Sequence, residues 1–135
     1  QIRDALDELA ASIACEQISE EELAELRHTM HEFEESTKTG DVKRIAEADV
    51  RFHDIIYHAT RNVKLENMLN NLREQMYRYR MEYMKDKRMY KLLIDEHDAI
   101  RKAIKKKDKE KAGMIMKTHI INQQEAIERN LDRTE

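Results

Sequence analysis

The chain has 135 residues, with no proline, two glycines, one cysteine and a net charge of −3. That length suits one domain with its own core. The charge gives no reason to expect nucleic-acid binding by this segment, and the lone Cys15 excludes a disulfide framework and fits a reducing, cytosolic setting.

Sheet proteins need turn residues at short intervals, so the scarcity of glycine and proline selects a few long helices. The first runs from Ile2 to about Glu16, with Ile2, Leu6, Leu9 and Ile13 as its apolar stripe. Ser19 is placed to cap the second, with Glu22 at the capping-box position. That helix carries Leu23, Leu26, Met30 and Phe33, and it stops near Thr39-Gly40. Asp41 caps the third, which presents Val42, Ile45, Phe52 and Ile56.

The pattern breaks at "TRNVK" and resumes as a fourth helix from Leu65 to Tyr83. After "KDKR" a fifth helix carries Tyr90, Leu93, His97, Ile100 and Ile104. Asp108 caps the sixth, with Ala112, Ile115, Met116, His119, Ile120 and Ile127. The expected fold is all-α, an antiparallel bundle of about six helices forming one domain over 1–135. Lys105, Lys106, Lys107 and Lys109 read as a helix end and its loop, where cations complement the helix dipole. No apolar run reaches the ~20 residues of a membrane span, and no signal peptide is visible. The chain enters helix at Gln1 without an initiator Met, which suggests a fragment of a longer protein.

The histidines divide by face. His97 lies on the stripe of its helix, His119 on or beside its own, and His53 flanks Phe52. Asp49 precedes His53 by four residues, so both occupy one face of the third helix. His28, His31 and His58 fall on outward faces. An inward histidine alone is more often a hydrogen-bonded core residue than a ligand. Three from three helices, beside a carboxylate, would cost several kcal/mol if buried without a partner. A divalent cation satisfies all four: zinc first, with nickel, manganese and iron also suited to imidazole and carboxylate. Asp49 offsets only part of such an ion's charge. Its open positions would then favour a small carboxylate.

The stretches "IRDALDELAASIACEQISEEELAEL", "ADVRFHDIIYHATRNVKLENML", "DEHDAIRKAIKKKDKEKA" and "MKTHI" resemble, in order and over nearly the whole chain, the effector-binding (FCD) domain of GntR-superfamily transcription regulators. The resemblance implies a helical bundle that dimerises and binds a small organic acid, often beside a metal. It also implies a separate N-terminal winged helix-turn-helix domain for DNA, which this chain lacks. Asp49, His53, His97 and His119 match the family's metal ligands. Arg3, Asn62 and Arg80 match positions tied to the effector. Each has a plainer reading: Arg3 paired with Asp7 on a surface, Asn62 as a left-handed turn residue, Arg80 solvated. Lys107 stands where relatives often carry glycine.

The enzyme alternative is a di-iron or hydrolytic bundle. Di-iron sites need paired Glu-x-x-His motifs, and only Glu25 with His28 has that spacing. A hydrolase needs a general base, and none stands near the cluster.

Overall fold

The computed structural model describes the backbone of residues 2–134 and their side chains other than 126 and 129–134; Gln1 and Glu135, the ends of the expected domain, lie outside the described residues. Seven α-helices follow in order: α1 (Ile2–Gln17), α2 (Glu20–Thr37), α3 (Val42–Ala59), α4 (Val63–Asn71), α5 (Arg73–Tyr83), α6 (Tyr90–Lys105) and α7 (Lys109–Thr134). A 3-10 turn, Lys87–Met89, precedes α6. The fold is all helical.

The helix starts follow local chemistry. Ser19 Oγ accepts from the Glu22 N–H at 3.1 Å while Glu22 Oε1 accepts from the Ser19 N–H at 3.0 Å, a complete capping box. Asp41 accepts from the N–H groups of Lys43 and Arg44, and Asp108 accepts from that of Lys111. The ends are equally local. Gly40 takes φ +71° after α2. At the end of α6, Asp108 N–H reaches Ala103 O and Lys107 N–H reaches Ile104 O, with Lys107 left-handed at φ 60°. That is the glycine-favoured position of the motif, so the lysine there holds a costly conformation. Among the described residues, the other non-glycine residue with left-handed φ is Arg61, at 55°, not Asn62.

Ion pairs fix the pairing directions. Glu22 meets Arg61 and Glu32 meets Arg51, so α2 and α3 run antiparallel. Glu16 meets Lys109 and Glu8 meets Lys117, so α1 and α7 do the same. Gly113 lets that last pair approach closely: a Cβ there would lie 3.3 Å from Glu8 Cγ.

Two expectations change. The single fourth helix is two, broken at Leu72, whose φ and ψ are −96° and 0°. No Pro, Gly or capping side chain marks the break. Leu65 and Leu69 of α4 and Met76 of α5 bury in one cluster with Ala10 and Tyr57, and Tyr83 at the far end of α5 buries with Phe33 and Ile45. The face of α1 is also rotated. Ile2 is 72% exposed and Leu9 48%, whereas Arg3 is 7% exposed and Asp7 fully buried, alongside Ala10, Ala11 and Ala14. Leu6 and Ile13 are only partly buried, against the cluster that holds Ala10 and Tyr57.

Two apolar clusters matter most for the site. One gathers Phe52, Ile56, Ile100, Ile104, Met116 and Ile120, and the other Phe33, Ile45, Tyr83 and Leu93. Between them lie polar residues. Among the described residues, no helix is long and apolar enough to cross a membrane.

Candidate metal centre

Asp49 and His53 stand one turn apart on α3, beside the apolar residues that bury that helix. α6 brings His97 and α7 brings His119. All four side chains are fully buried, and one ligand atom from each lies within 4.8 Å of the others. His97 is held by Phe52, stacked at 4.4 Å between ring centroids, and by Phe33, edge-on at 4.5 Å. One phenylalanine comes from each apolar cluster, so packing on both sides sets the ring.

The polar atoms converge without pairing off. His97 Nε2 lies 2.8 Å and His53 Nε2 3.3 Å from the same oxygen, Asp49 Oδ1. Neither approach is aligned as a hydrogen bond, and both nitrogens of both rings lack a hydrogen-bond partner among the described residues. Natural proteins rarely leave such groups unsatisfied. Donor atoms aimed at a common point rather than at one another are the arrangement a cation needs, so these residues fit one.

Protonation agrees. Burial pushes the His53 imidazole down to about 3 and lowers that of His97. Burial alone would raise the Asp49 carboxyl, but His53 and Arg80 outweigh it and hold it well below the carboxylate range. Neutral imidazoles and an ionised carboxylate are the forms that bind a metal, so binding need not wait for proton loss.

Arg80, on α5, is buried, with Nε 2.7 Å from Asp49 Oδ2. Asp49 raises its pKa against the opposing effect of burial. Arg3 does approach Asp7, at 3.7 Å from Nε to Oδ2, but in the interior rather than on a surface. None of the three guanidinium nitrogens of Arg3 has a hydrogen-bond partner among the described residues. Asn62 is not brought to this centre. It is exposed, and its Oδ1 accepts from the Leu65 N–H at 3.1 Å as the cap of α4.

Four residues of the centre escape a sequence reading. Tyr57 donates its hydroxyl to Asp7 Oδ1 at 2.5 Å, both groups being buried. Glu96 Oε2 lies 3.4 Å from His119 Nδ1, the orienting carboxylate that metal-binding histidines commonly have. Gln123 Nε2 lies 3.3 Å from His119 Nε2. Asp7, Glu96 and Gln123 were legible only as helical neighbours of Arg3, His97 and His119. Tyr57 follows His53 by one turn.

The outward histidines are as expected, with His28, His31 and His58 exposed. Glu25 is exposed too, so Glu25 and His28 contribute nothing inward to a di-iron site. A groove of about 580 Å³ between α3 and α5, lined by Arg51, Arg73, Tyr77 and Arg78 among others, contains none of the centre's residues.

Comparison with known proteins agrees with the all-helical fold. The model of the FCD domain family matches residues 1–122. The uncharacterized HTH-type transcriptional regulator YdhC of Bacillus subtilis (strain 168) is 27% identical over 134 residues, covering 98% of this chain and 59% of that protein. The chain therefore spans about three-fifths of that relative. The structure of E. coli McbR/YncC superposes with a TM-score of 0.79 at 24% identity, over 93% of this chain and 65% of that one, and so shares the fold. The chain belongs to the FCD domain family, the GntR-type group that its own sequence resembles.

Proposed function

We propose that the chain is the ligand-sensing domain of a bacterial-type transcription regulator. It binds one divalent ion through Asp49, His53, His97 and His119 and a small organic acid beside that ion. DNA is bound by a separate N-terminal domain, and a homodimer in the cytoplasm presents two such domains to two half-sites. The observation that carries this reading is the convergence of four buried ligand atoms from α3, α6 and α7. Zinc is the first choice, and nickel, manganese or iron suit the same donors. The ion would supply a fixed positive charge on which a carboxylate oxygen can rest. Arg3 and Arg80 supply the forks that hold the carboxylate in parallel hydrogen bonds. Asn62, engaged in capping α4, is left out of this role.

Filling the centre favours the arrangement of α3, α6 and α7 that brings the ligands together. DNA affinity then changes only by the effector's differential affinity for the two arrangements. Metal analysis of protein purified without an affinity tag should find close to one ion per chain. Calorimetry should find carboxylate binding to the loaded protein and much weaker binding after chelation. Equal binding to both forms would leave the ion a structural role and defeat the mechanism. Sedimentation should give a dimer at micromolar concentration, and a monomer of 16.2 kDa would remove the twofold arrangement.

A further inference from the structure

Gln123 stands one turn beyond His119 on α7, as His53 stands one turn beyond Asp49 on α3. It is 1% exposed, and its amide lies against the imidazole, with Nε2 3.3 Å from His119 Nε2. The other end of the amide, Oε1, is buried and has no hydrogen-bond partner among the described residues. Leaving such an oxygen unpaired costs free energy, so it asks for a partner.

Glu96 decides which end of the amide the ring wants. Its Oε2 faces His119 Nδ1 at 3.4 Å, so the ring proton belongs on Nδ1 and the lone pair on Nε2. In this arrangement the lone pair takes the amide N–H. An ion drawing on the same lone pair would leave that N–H without an acceptor and turned towards a positive charge. A half turn about the last bond of the glutamine side chain, a soft torsion with two comparable wells, exchanges the two ends. The oxygen then gains the partner it lacks, and the N–H no longer faces the cation.

The spacing agrees. Two atoms bound to one ion at roughly 2.0–2.2 Å lie about 3–3.5 Å from each other. Asp49 Oδ1 is 2.8 Å from His97 Nε2 and 3.3 Å from His53 Nε2. The amide end beside His119 Nε2, at 3.3 Å, keeps the same separation.

Resting on the metal-site reading above, we propose that Gln123 is a fifth ligand of the ion: its amide oxygen joins Asp49, His53, His97 and His119 in one coordination shell. An amide oxygen is neutral, so it adds a bond and leaves the net charge of the site as it was. It also favours ions that accept five or six ligands over those held to four.

The test is a structure of the zinc-loaded chain, together with zinc affinities measured by competition with a chelator. In the structure Gln123 Oε1 should lie at roughly the 2.0–2.2 Å of an oxygen ligand. Gln123→Leu keeps the bulk and loses the oxygen, and it should bind zinc at least tenfold more weakly than the parent. Gln123→Glu keeps an oxygen but cannot donate a hydrogen bond to His119, and it should bind zinc at least as tightly as the parent.

A Gln123→Leu protein with the parent's affinity overturns the proposal. So does a Gln123→Glu protein as weak as Gln123→Leu, because the N–H would then be the working end and Gln123 would only steady the ring. If Gln123→Leu does not fold, the zinc-loaded structure of the unaltered chain still decides. Zinc held by Asp49, His53, His97 and His119 with the amide oxygen turned away removes this inference alone, whereas a parent that binds no zinc removes the metal-site reading with it.

Discussion

The apolar end of the bundle and its polar centre are built by the same helices, one turn apart, and they contribute to stability in opposite ways. Ile100 follows His97 by three residues on α6, and Ile120 follows His119 on α7; all four are fully buried. At the apolar end each side chain needs only neighbours of suitable shape, and burial itself stabilises it. At the centre each group needs a specific partner, and many lack one. Burial there costs about 1–3 kcal/mol for each unpartnered group. A fold under selection for stability alone would fill that space with Leu or Ile. The proposed ion and effector would account for the centre, and the apolar end is what makes it affordable.

The largest effect that separates the two regions should come from Ile100→Ala. Truncation in the filled end should cost about 3 kcal/mol, and the loss should be the same with or without zinc in thermal melts. The centre should behave otherwise. Zinc at a hundredfold above its dissociation constant should stabilise the chain by about 2.7 kcal/mol, raising the melting temperature by roughly 10 °C. His97→Leu should abolish that response. A His97→Leu protein that keeps the zinc-dependent rise in melting temperature would show that the ion is held elsewhere, and the contrast would fail.

Smaller effects come from the surface, where neither logic applies. Ser19→Ala removes the capping box and should cost about 1 kcal/mol, independent of zinc, by denaturant titration. The smallest is a pH dependence. Hydrogen bonding from Arg61 lowers the Glu22 carboxyl from 4.5 to about 2. Its contribution is thus present above pH 4.5 and lost as pH falls towards 2. Arg61→Ala should lower the melting temperature at neutral pH and make no difference at the acid end of that range.

The helix ends were readable because capping is local: Ser19 with Glu22, Asp41 and Asp108 act within three residues of themselves. The four ligand residues were readable because three of them interrupt or flank an apolar stripe, where a polar side chain stands out. Asp7 did not stand out. The inward face of α1 is made of Arg3, Asp7 and alanines, so its larger apolar residues, Ile2 and Leu9, point to the wrong side. Small side chains suit a close approach to α7 at Gly113, and hydrophobic periodicity cannot detect a face chosen for smallness. The break at Leu72 was not legible either, because no Pro, Gly or capping side chain marks it.

The antiparallel pairing of α1 with α7 sets the order in which the chain can be assembled. Synthesis proceeds from the N-terminal end at about 5–20 residues per second. The α2–α3 hairpin can close as soon as both helices have emerged. α1, made before the other six helices, has to wait for α7 to complete its packing, with only α3, α4 and α6 against it in the meantime. The polar centre waits with it, because His119 arrives on α7 and Arg3 and Asp7 are delivered by α1. Such long-range closure is slow for topological reasons. A nascent chain released before α7 would therefore lack His119, and with it the proposed ion site.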